Sequence, residues 1–548
     1  MNIQWMVKNL KNRIVLSAGI LSYLILLFMR IPLSRFIGEA GVGLFAPAFE
    51  LFLLASLVVS YGMSHTMSGI IRYRVKRERY RNASKVFRTA LFMNLVIGAV
   101  MALFVLFFSS WIAEVLVLER LCRMAVLAAA PCIFFSALIG ALRGYFNGYG
   151  LGVLTAHSQY LEKIVMLAGA LLAGRAFHEY GQKVAALLKT EAHTYAFGAL
   201  GAMLGIMASQ LVALLHLLAL YIIYAGTLRG RLGQDNSRRA ETRFEIQRML
   251  LANMIPLAVT VVLSNLFMFV DQRFFGYCMN VTGQCGARTA QWGCYYGKFA
   301  ALIGMGAAVS VLSVHGLTGK ISAAYEREEY RGMRERMGRA VRNASMVSFP
   351  TAIYLAVLAK PVSECCYGRA TAQITVLSGW LQKGAAIVVL FTFCFLFGQV
   401  LHKMRMGKEL FLAAFASFAV HFAVAYLMVQ RLQMGVDGLL ASLLFLFGIY
   451  MALSFVFLNS RVKYRPDWFG GIIFPCAAAA VSGVVVYLLN LVLLEAVGAV
   501  FTILISLAVG LFLYIFFLMI LRVLGEAELQ DMPLGFLFIV LGRNIGVL

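Results

Sequence analysis

HTMSGIIRYRVKRERYR, residues 65–81, returns in altered form as HGLTGKISAAYEREEYR, residues 315–331. Laid together without a gap, the two share His65 with His315, Gly69 with Gly319, Ile71 with Ile321, Arg77 with Arg327, Glu78 with Glu328, Tyr80 with Tyr330 and Arg81 with Arg331. The hydroxyl of Ser68 meets that of Thr318. Upstream, Leu27-Phe28-Met29 matches Leu266-Phe267-Met268, and RFIG at 35–38 matches RFFG at 273–276 at a shorter offset. The second copy takes up the difference in a longer loop, 276–294. In both copies the histidine closes an apolar block and opens a basic loop. One unit is written twice, and its surroundings say what kind of unit it is.

Of the 548 residues 61% are hydrophobic and 13% charged, with a mean hydropathy of +0.84. A soluble chain would be about a quarter charged. The apolar residues fall into blocks of the length that spans a hydrocarbon core of roughly 30 Å as a helix, about 20 residues. They are too long and too uniformly apolar for the alternating strands of a membrane barrel. The reading is an all-α polytopic membrane protein with fourteen transmembrane helices between about residues 14 and 521. The net charge of +24 is concentrated in alternate connections. That bias places both termini in the cytoplasm and the basic loops against anionic membrane lipids, and it argues against nucleic acid as a partner. The first block has a basic start but no small-residue cleavage site, so it reads as a retained helix.

The repeat then gives the organisation. Residues 1–226 form an N-lobe of six spans, 227–247 a cytoplasmic linker, and 248–460 a C-lobe of six. Residues 461–522 add two spans, and 523–548 form a cytoplasmic tail with a short interfacial stretch, 533–540. Six is even, so the copies point the same way, related by an axis along the membrane normal.

No nucleotide loop, HExxH motif or acid–histidine cluster is present, so an enzyme is not expected. Five cysteines, Cys278, Cys285, Cys294, Cys365 and Cys366, fall on the predicted outer side, as free thiols or as one disulfide whose pairing the spacing leaves open. What remains is charge at membrane depth, where each ionised group costs about 2.5–3.5 kcal/mol and so faces a cavity or a partner. These groups are Arg30 and Arg35 around Pro32, Glu50, Asp271, Arg273, Lys298 and Lys383. Arg35, Arg273 and Lys298 could instead snorkel to the interface. Arg30, deeper, should face Glu50, Asp271 or an anionic substrate. His65 and His315 sit at equivalent helix ends, suited to capping or to gating on the cytoplasmic side.

Two further stretches carry a resemblance. RFIGEAGVGL at 35–44 resembles the entry to the second span of the multidrug/oligosaccharidyl-lipid/polysaccharide (MOP) exporter superfamily. LRGYFNG at 142–148, with SQYLE at 158–162, is similar to the signature of its stage V sporulation protein B branch, as is the tail EAELQDMP at 526–533. The resemblance implies two six-helix lobes forming a V, with spans 1, 2, 7 and 8 lining a central cavity. It also implies a MurJ-like flippase that carries a polyprenyl-diphosphate-linked saccharide across the plasma membrane of a bacterium by alternating access. Spans 13 and 14 would form a groove for the lipid tail. On this reading Arg30, Arg35, Glu50, Arg273, Lys298 and Lys383 bind substrate, and Asp271 couples a monovalent cation or proton. His65, His315 and Arg143 gate the cytoplasmic side, no other cofactor is needed, and glycan synthases are candidate partners. The arginine pattern that surrounds this part of span 1 in lipid II flippases is missing here. Rival readings are a cation-exporting drug or metabolite antiporter of the same superfamily, a membrane-embedded transferase, and a non-transporting scaffold of wall synthesis.

Overall fold

The computed structural model describes residues 3–235, 240–368, 372–530 and 535–546; parts of the linker and of the tail stretch beginning at Pro533 lie outside them. The described residues are helical, with no strand among them. In lipid a helix satisfies its backbone donors and acceptors within itself, which an apolar chain of this composition requires.

By contacts the chain divides into two compact units, Met1–Lys298 with Phe422–Leu439, and Phe299–His421 with Leu440–Leu548. The first holds α1 (Ile3–Ser56), α2 (Met63–Val75), α3 (Tyr80–Trp111), α4 (Arg123–Gly148), α5 (Gly152–Leu188), α6 (Ala192–Gly230), α7 (Arg243–Asn265), α8 (Phe267–Val281) and the short α9 (Arg288–Cys294). The second holds α10 (Ala300–Glu326), α11 (Tyr330–Val357), α12 (Ala359–Tyr367), α13 (Ala372–Gly384) and α14 (Ala386–Lys403). The chain continues through α15 (Gly407–Ala425) and α16 (Gly435–Val462) to α17 (Phe474–Val497), α18 (Ala499–Ile520), α19 (Glu526–Gln530) and α20 (Gly535–Ile545).

Eleven helices are long and apolar enough to cross a membrane, and twelve if the bent pair α11–α12 is one span. At 54 residues α1 is about 80 Å long, far more than one crossing needs. It is broken at Gly38, whose φ of +73° is open to glycine and strained for other residues. The break comes six residues after Pro32, so the proline is not where the chain turns. Between α11 and α12 the axis bends by 75°. Pro361 has no N–H to give the carbonyl of Val357 four residues back, and the side chain of Asn490 on α17 donates to that carbonyl instead, at 3.2 Å. The bend therefore leaves no orphaned acceptor at that position.

The repeated segment folds the same way in each unit. Glu78 and Glu328 both take the left-handed conformation, with φ of 55° and 60°. Both are followed by the same six-residue closure, Arg79 N–H to Arg74 O at 3.0 Å and Glu329 N–H to Ala324 O at 2.9 Å. Ser68 and Thr318 return their hydroxyls to the carbonyls of His65 and His315, at 2.9 and 3.0 Å. Ile71 and Ile321 are fully buried. The segment is thus a helix end, a tight reversal and a new helix start.

In the first unit, glycines let helices touch backbone to backbone, the usual way membrane helices gain van der Waals contact. Gly140, Gly144 and Gly148 line one face of α4 against residues 60–71; a Cβ on Gly144 would lie 2.5 Å from Met67 and 2.9 Å from Ser64 Cα. Gly169 and Gly205 bring α5 and α6 together in the same way. Gly144→Val is expected to lower stability by about 1–3 kcal/mol, the range for overpacking a tight contact. Gly226→Ala, where nothing lies within 4 Å of the new methyl, should be neutral or slightly stabilising. Thermal midpoints of the detergent-purified proteins compare the two.

Candidate functional site

The part of α1 beyond Gly38 packs directly on α9. A Cβ on Gly43 would lie 1.9 Å from the carbonyl oxygen of Thr289, and one on Gly293 would lie 1.8 Å from that of Glu39. The chain leaves α9 through a π-helical turn that starts at Tyr295. Wide turns of this kind concentrate at functional sites. This one faces Tyr296 and Lys298 toward α1.

Arg30 lies in the buried part of α1, 5% exposed. Its Nη2 donates to the Tyr296 hydroxyl at 2.9 Å and its Nη1 to the Tyr296 carbonyl at 3.3 Å. The guanidinium also lies over the Tyr296 ring, 3.9 Å from the centroid. The Tyr296 hydroxyl donates onward to Glu50 Oε1 at 2.6 Å, and the same carboxylate oxygen lies 3.6 Å from Arg30 Nη2. Of the three partners considered for Arg30, the one the structure supplies is Glu50. Lys298 donates to the carboxylate of Glu39, and both side chains are largely buried. Asp271 on α8 is fully buried and acts electrostatically on Tyr295.

The other candidates are placed differently. Arg273 is half-buried two residues beyond Asp271, and Arg35 is exposed near the Gly38 break. Lys383 is exposed on α13 in the second unit. Arg143 donates through Nε to Ser158 at 3.0 Å and through Nη2 to Glu162 at 2.7 Å. Glu162 also accepts from Lys163 at 2.7 Å and from Gln210 at 3.1 Å. The LRGYFNG and SQYLE motifs therefore meet in space, as a buried clamp joining α4, α5 and α6. His65 stacks with Tyr61 and His315 with Phe395. Cys278, Cys285 and Cys294 are free thiols, the first and last buried. Among the described residues no group of three or more His, Cys, Asp or Glu side chains is placed to hold a metal ion.

Sequence reasoning did not single out Tyr296, Glu39 or Gln210, although each completes a buried charge. A signal for Tyr296 existed in YYGK, 295–298, where two tyrosines and a lysine stand at the start of a span that needs no polar group.

This fold and this set of buried charges define a multi-pass membrane protein with the architecture of the MOP transporters. A solved structure of the lipid II flippase MurJ in an inward closed conformation superposes with a TM-score of 0.61 at 14% identity, covering 91% of this chain and 96% of that one. An inward-facing multidrug resistance MATE transporter of the MOP superfamily superposes with 0.57 at 17% identity, covering 81% and 94%. Residues 10–295 match the family described as polysaccharide biosynthesis protein, and the chain belongs to that family. Stage V sporulation protein B of Bacillus subtilis (strain 168) is 22% identical over 426 residues, 78% of each chain. In a bacterium the membrane that such a protein spans is the plasma membrane.

Removing one member of a buried ionic group costs about 3–5 kcal/mol when its partners are left uncompensated. Glu162→Ala orphans Arg143, Lys163 and Gln210 together, so it should fall in that range, with Glu162→Gln milder because the amide oxygen still accepts. Loss of monodisperse protein on size-exclusion after graded heating measures both.

Proposed function

We propose that this protein is a flippase that moves a polyprenyl-diphosphate-linked saccharide from the cytoplasmic to the outer leaflet by alternating access. Family membership and the resemblance to stage V sporulation protein B support the substrate class. The observation that carries the reading is Arg30: a buried guanidinium held by a tyrosine hydroxyl and a carboxylate rather than by apolar packing. Its two Nη donors lie in one plane, as a phosphate would use them, and meet the hydroxyl and carbonyl of Tyr296 with Glu50 3.6 Å away. A diphosphate brings about two negative charges and competes with Glu50 for that fork. The saccharide then enters a polar region while the lipid tail remains in the bilayer. Energy for the cycle comes from an ion gradient or the membrane potential, with Asp271 as the coupling site for a proton or monovalent cation. The fourteen-span, 6+6+2 arrangement is part of this proposal. It is supported by the break at Gly38, which makes two crossings of α1, and by the matching reversals at Glu78 and Glu328. Arg35, Arg273, Lys298 and Lys383 extend the cationic path in this reading. His65, His315 and Arg143 act at its cytoplasmic end, with anionic lipids and glycan synthases as neighbours.

A second reading, a cation antiporter, is favoured by one feature: the acids Asp271 and Glu50 are both buried, as a site for cationic cargo needs.

Arg30→Ala alone leaves Glu50 as a buried carboxylate without its ion-pair partner, so it should lower protein level as well as activity. Arg30→Met with Glu50→Gln removes both charges and should restore abundance but not transport. Arg30→Lys should retain part of the activity, a point charge replacing a planar fork, and Arg30→Glu none. Complementation of a depleted strain, with immunoblots and mass spectrometry of polyprenyl-linked saccharides, reads all four. Full growth and no lipid accumulation in the charge-free double variant would remove Arg30 from the substrate path.

A further inference from the structure

The reversal at 315–331 encloses something its first copy does not. In the second unit Leu317, Lys320, Ala323 and Arg327 along α10 face Arg336 and Arg339 on α11 across a cavity of about 360 Å³. Lys320, Ala323 and Arg327 recur at intervals of three and four residues, so they share one helix face, and Arg336 and Arg339 share the facing one. Arg336 ties the two helices through Nη1 to the Lys320 carbonyl at 3.0 Å and lies 3.9 Å from the Glu329 carboxylate. Among the described residues, Lys320, Arg327 and Arg339 form no ion pair with any carboxylate. Four like charges around one hollow repel each other, by a few tenths of a kcal/mol for each neighbouring pair on a helix surface. The arrangement is favourable when an anion sits among them.

The first copy serves as an internal comparison, because the register of buried positions continues past the reversal. Ala83 and Met333, Phe87 and Met337, and Ala90 and Ala340 are buried at equivalent places. In that register Lys320 replaces Ile70, Ala323 replaces Tyr73, Arg336 replaces Val86 and Arg339 replaces Thr89. Val86 and Thr89 are buried, in a core that includes Ile246 and Leu250 from the start of α7. The Arg77 guanidinium lies over the ring of Tyr73, 4.3 Å from its centroid. At the equivalent of Tyr73 the second copy has only the methyl of Ala323, and its Arg327 has no ring to cover. Beside the same backbone device one unit thus has the buried Val86 and Thr89 and a ring over its arginine, and the other an open cationic pocket.

We propose that the pocket between α10 and α11 is a binding site for a phosphate-bearing anion, with Lys320, Arg327, Arg336 and Arg339 as its donors. The guanidinium of Arg327 faces those of Arg336 and Arg339 across the hollow, with the Lys320 ammonium beside it, and planar forks suit phosphate oxygens. The positive-inside bias of the basic loops puts the site on the cytoplasmic side, where the phosphate comes either from a lipid headgroup or from solution. The site is separate from Arg30 and stands whether or not the flippase reading does.

The test uses the full-length protein. Calorimetric titration with inorganic pyrophosphate in detergent reports the soluble anion. Native mass spectrometry from nanodiscs of phosphatidylcholine with a minor share of phosphatidylglycerol counts retained anionic lipid. Lys320→Gln with Arg339→Gln should weaken occupancy by about tenfold or more, the effect of losing charge-assisted hydrogen bonds. Ala323→Tyr copies the first unit's residue and keeps every charge; it should weaken occupancy as much by laying a ring against Arg327, as Tyr73 lies against Arg77. Arg77→Gln in the first copy should change nothing. Loss confined to pyrophosphate assigns the site to a soluble phosphate, and loss of retained phosphatidylglycerol assigns it to a lipid headgroup. Full binding of both probes by Ala323→Tyr, with circular dichroism and thermal midpoint unchanged, would reduce the pocket to diffuse surface charge and overturn the proposal. So would a wild-type protein that holds neither probe.

Discussion

A guanidinium below the membrane surface has no water to turn to, and the structure around Arg30 follows from that. Its partners come from Tyr296, 266 residues away in sequence, and from Glu50, beyond a break in its own helix. Bringing them together requires the reversal at Gly38, the backbone contact of Gly43 and Gly293 with their opposite strands of helix, and the wide turn that starts at Tyr295. Each of these is locally unfavourable or permissive by itself. Together they convert an expensive charge into a hydrogen-bonded group.

The same constraint explains the second buried ionic group. Arg143, Glu162, Lys163 and Gln210 meet across three helices and satisfy one another, with Ser158 filling the remaining donor site. The motif that most resembles the sporulation protein branch is therefore structural at its core. It fixes the α4–α5–α6 packing, next to the glycine face on which residues 60–71 rest.

The repeated segment carries one backbone design, and the side chains beside it differ between its two copies. The αL glutamates and the returning hydroxyls keep the reversal in both units. Side chains then decide what lies beside it: the buried Val86 and Thr89 in one, Arg336 and Arg339 around an open pocket in the other. Function on this scaffold resides in small replacements against an unchanged frame.

Membrane class, helicity, the repeated segment and the need of Arg30 for a partner could all be read from the chain, because each follows from one-dimensional facts. An apolar block of spanning length has only one way to satisfy its backbone, and a charge inside it stands out by its cost. Tyr296 was hidden because a tyrosine at the start of a span is an ordinary interfacial anchor; only contact with Arg30 shows otherwise. Asn490 was hidden because its partner, the Val357 carbonyl, becomes an acceptor in need only through Pro361 on a different helix. The count of spans also differed: fourteen blocks read along the chain, eleven or twelve helices by length and apolarity among the described residues, where α1, broken at Gly38, counts once and α5 is not among them. Sequence determines what must be buried and what must find a partner. Which partner it finds is decided by tertiary structure, because hydrogen bonds and ion pairs act over a few ångströms in space and carry no mark of their distance along the chain.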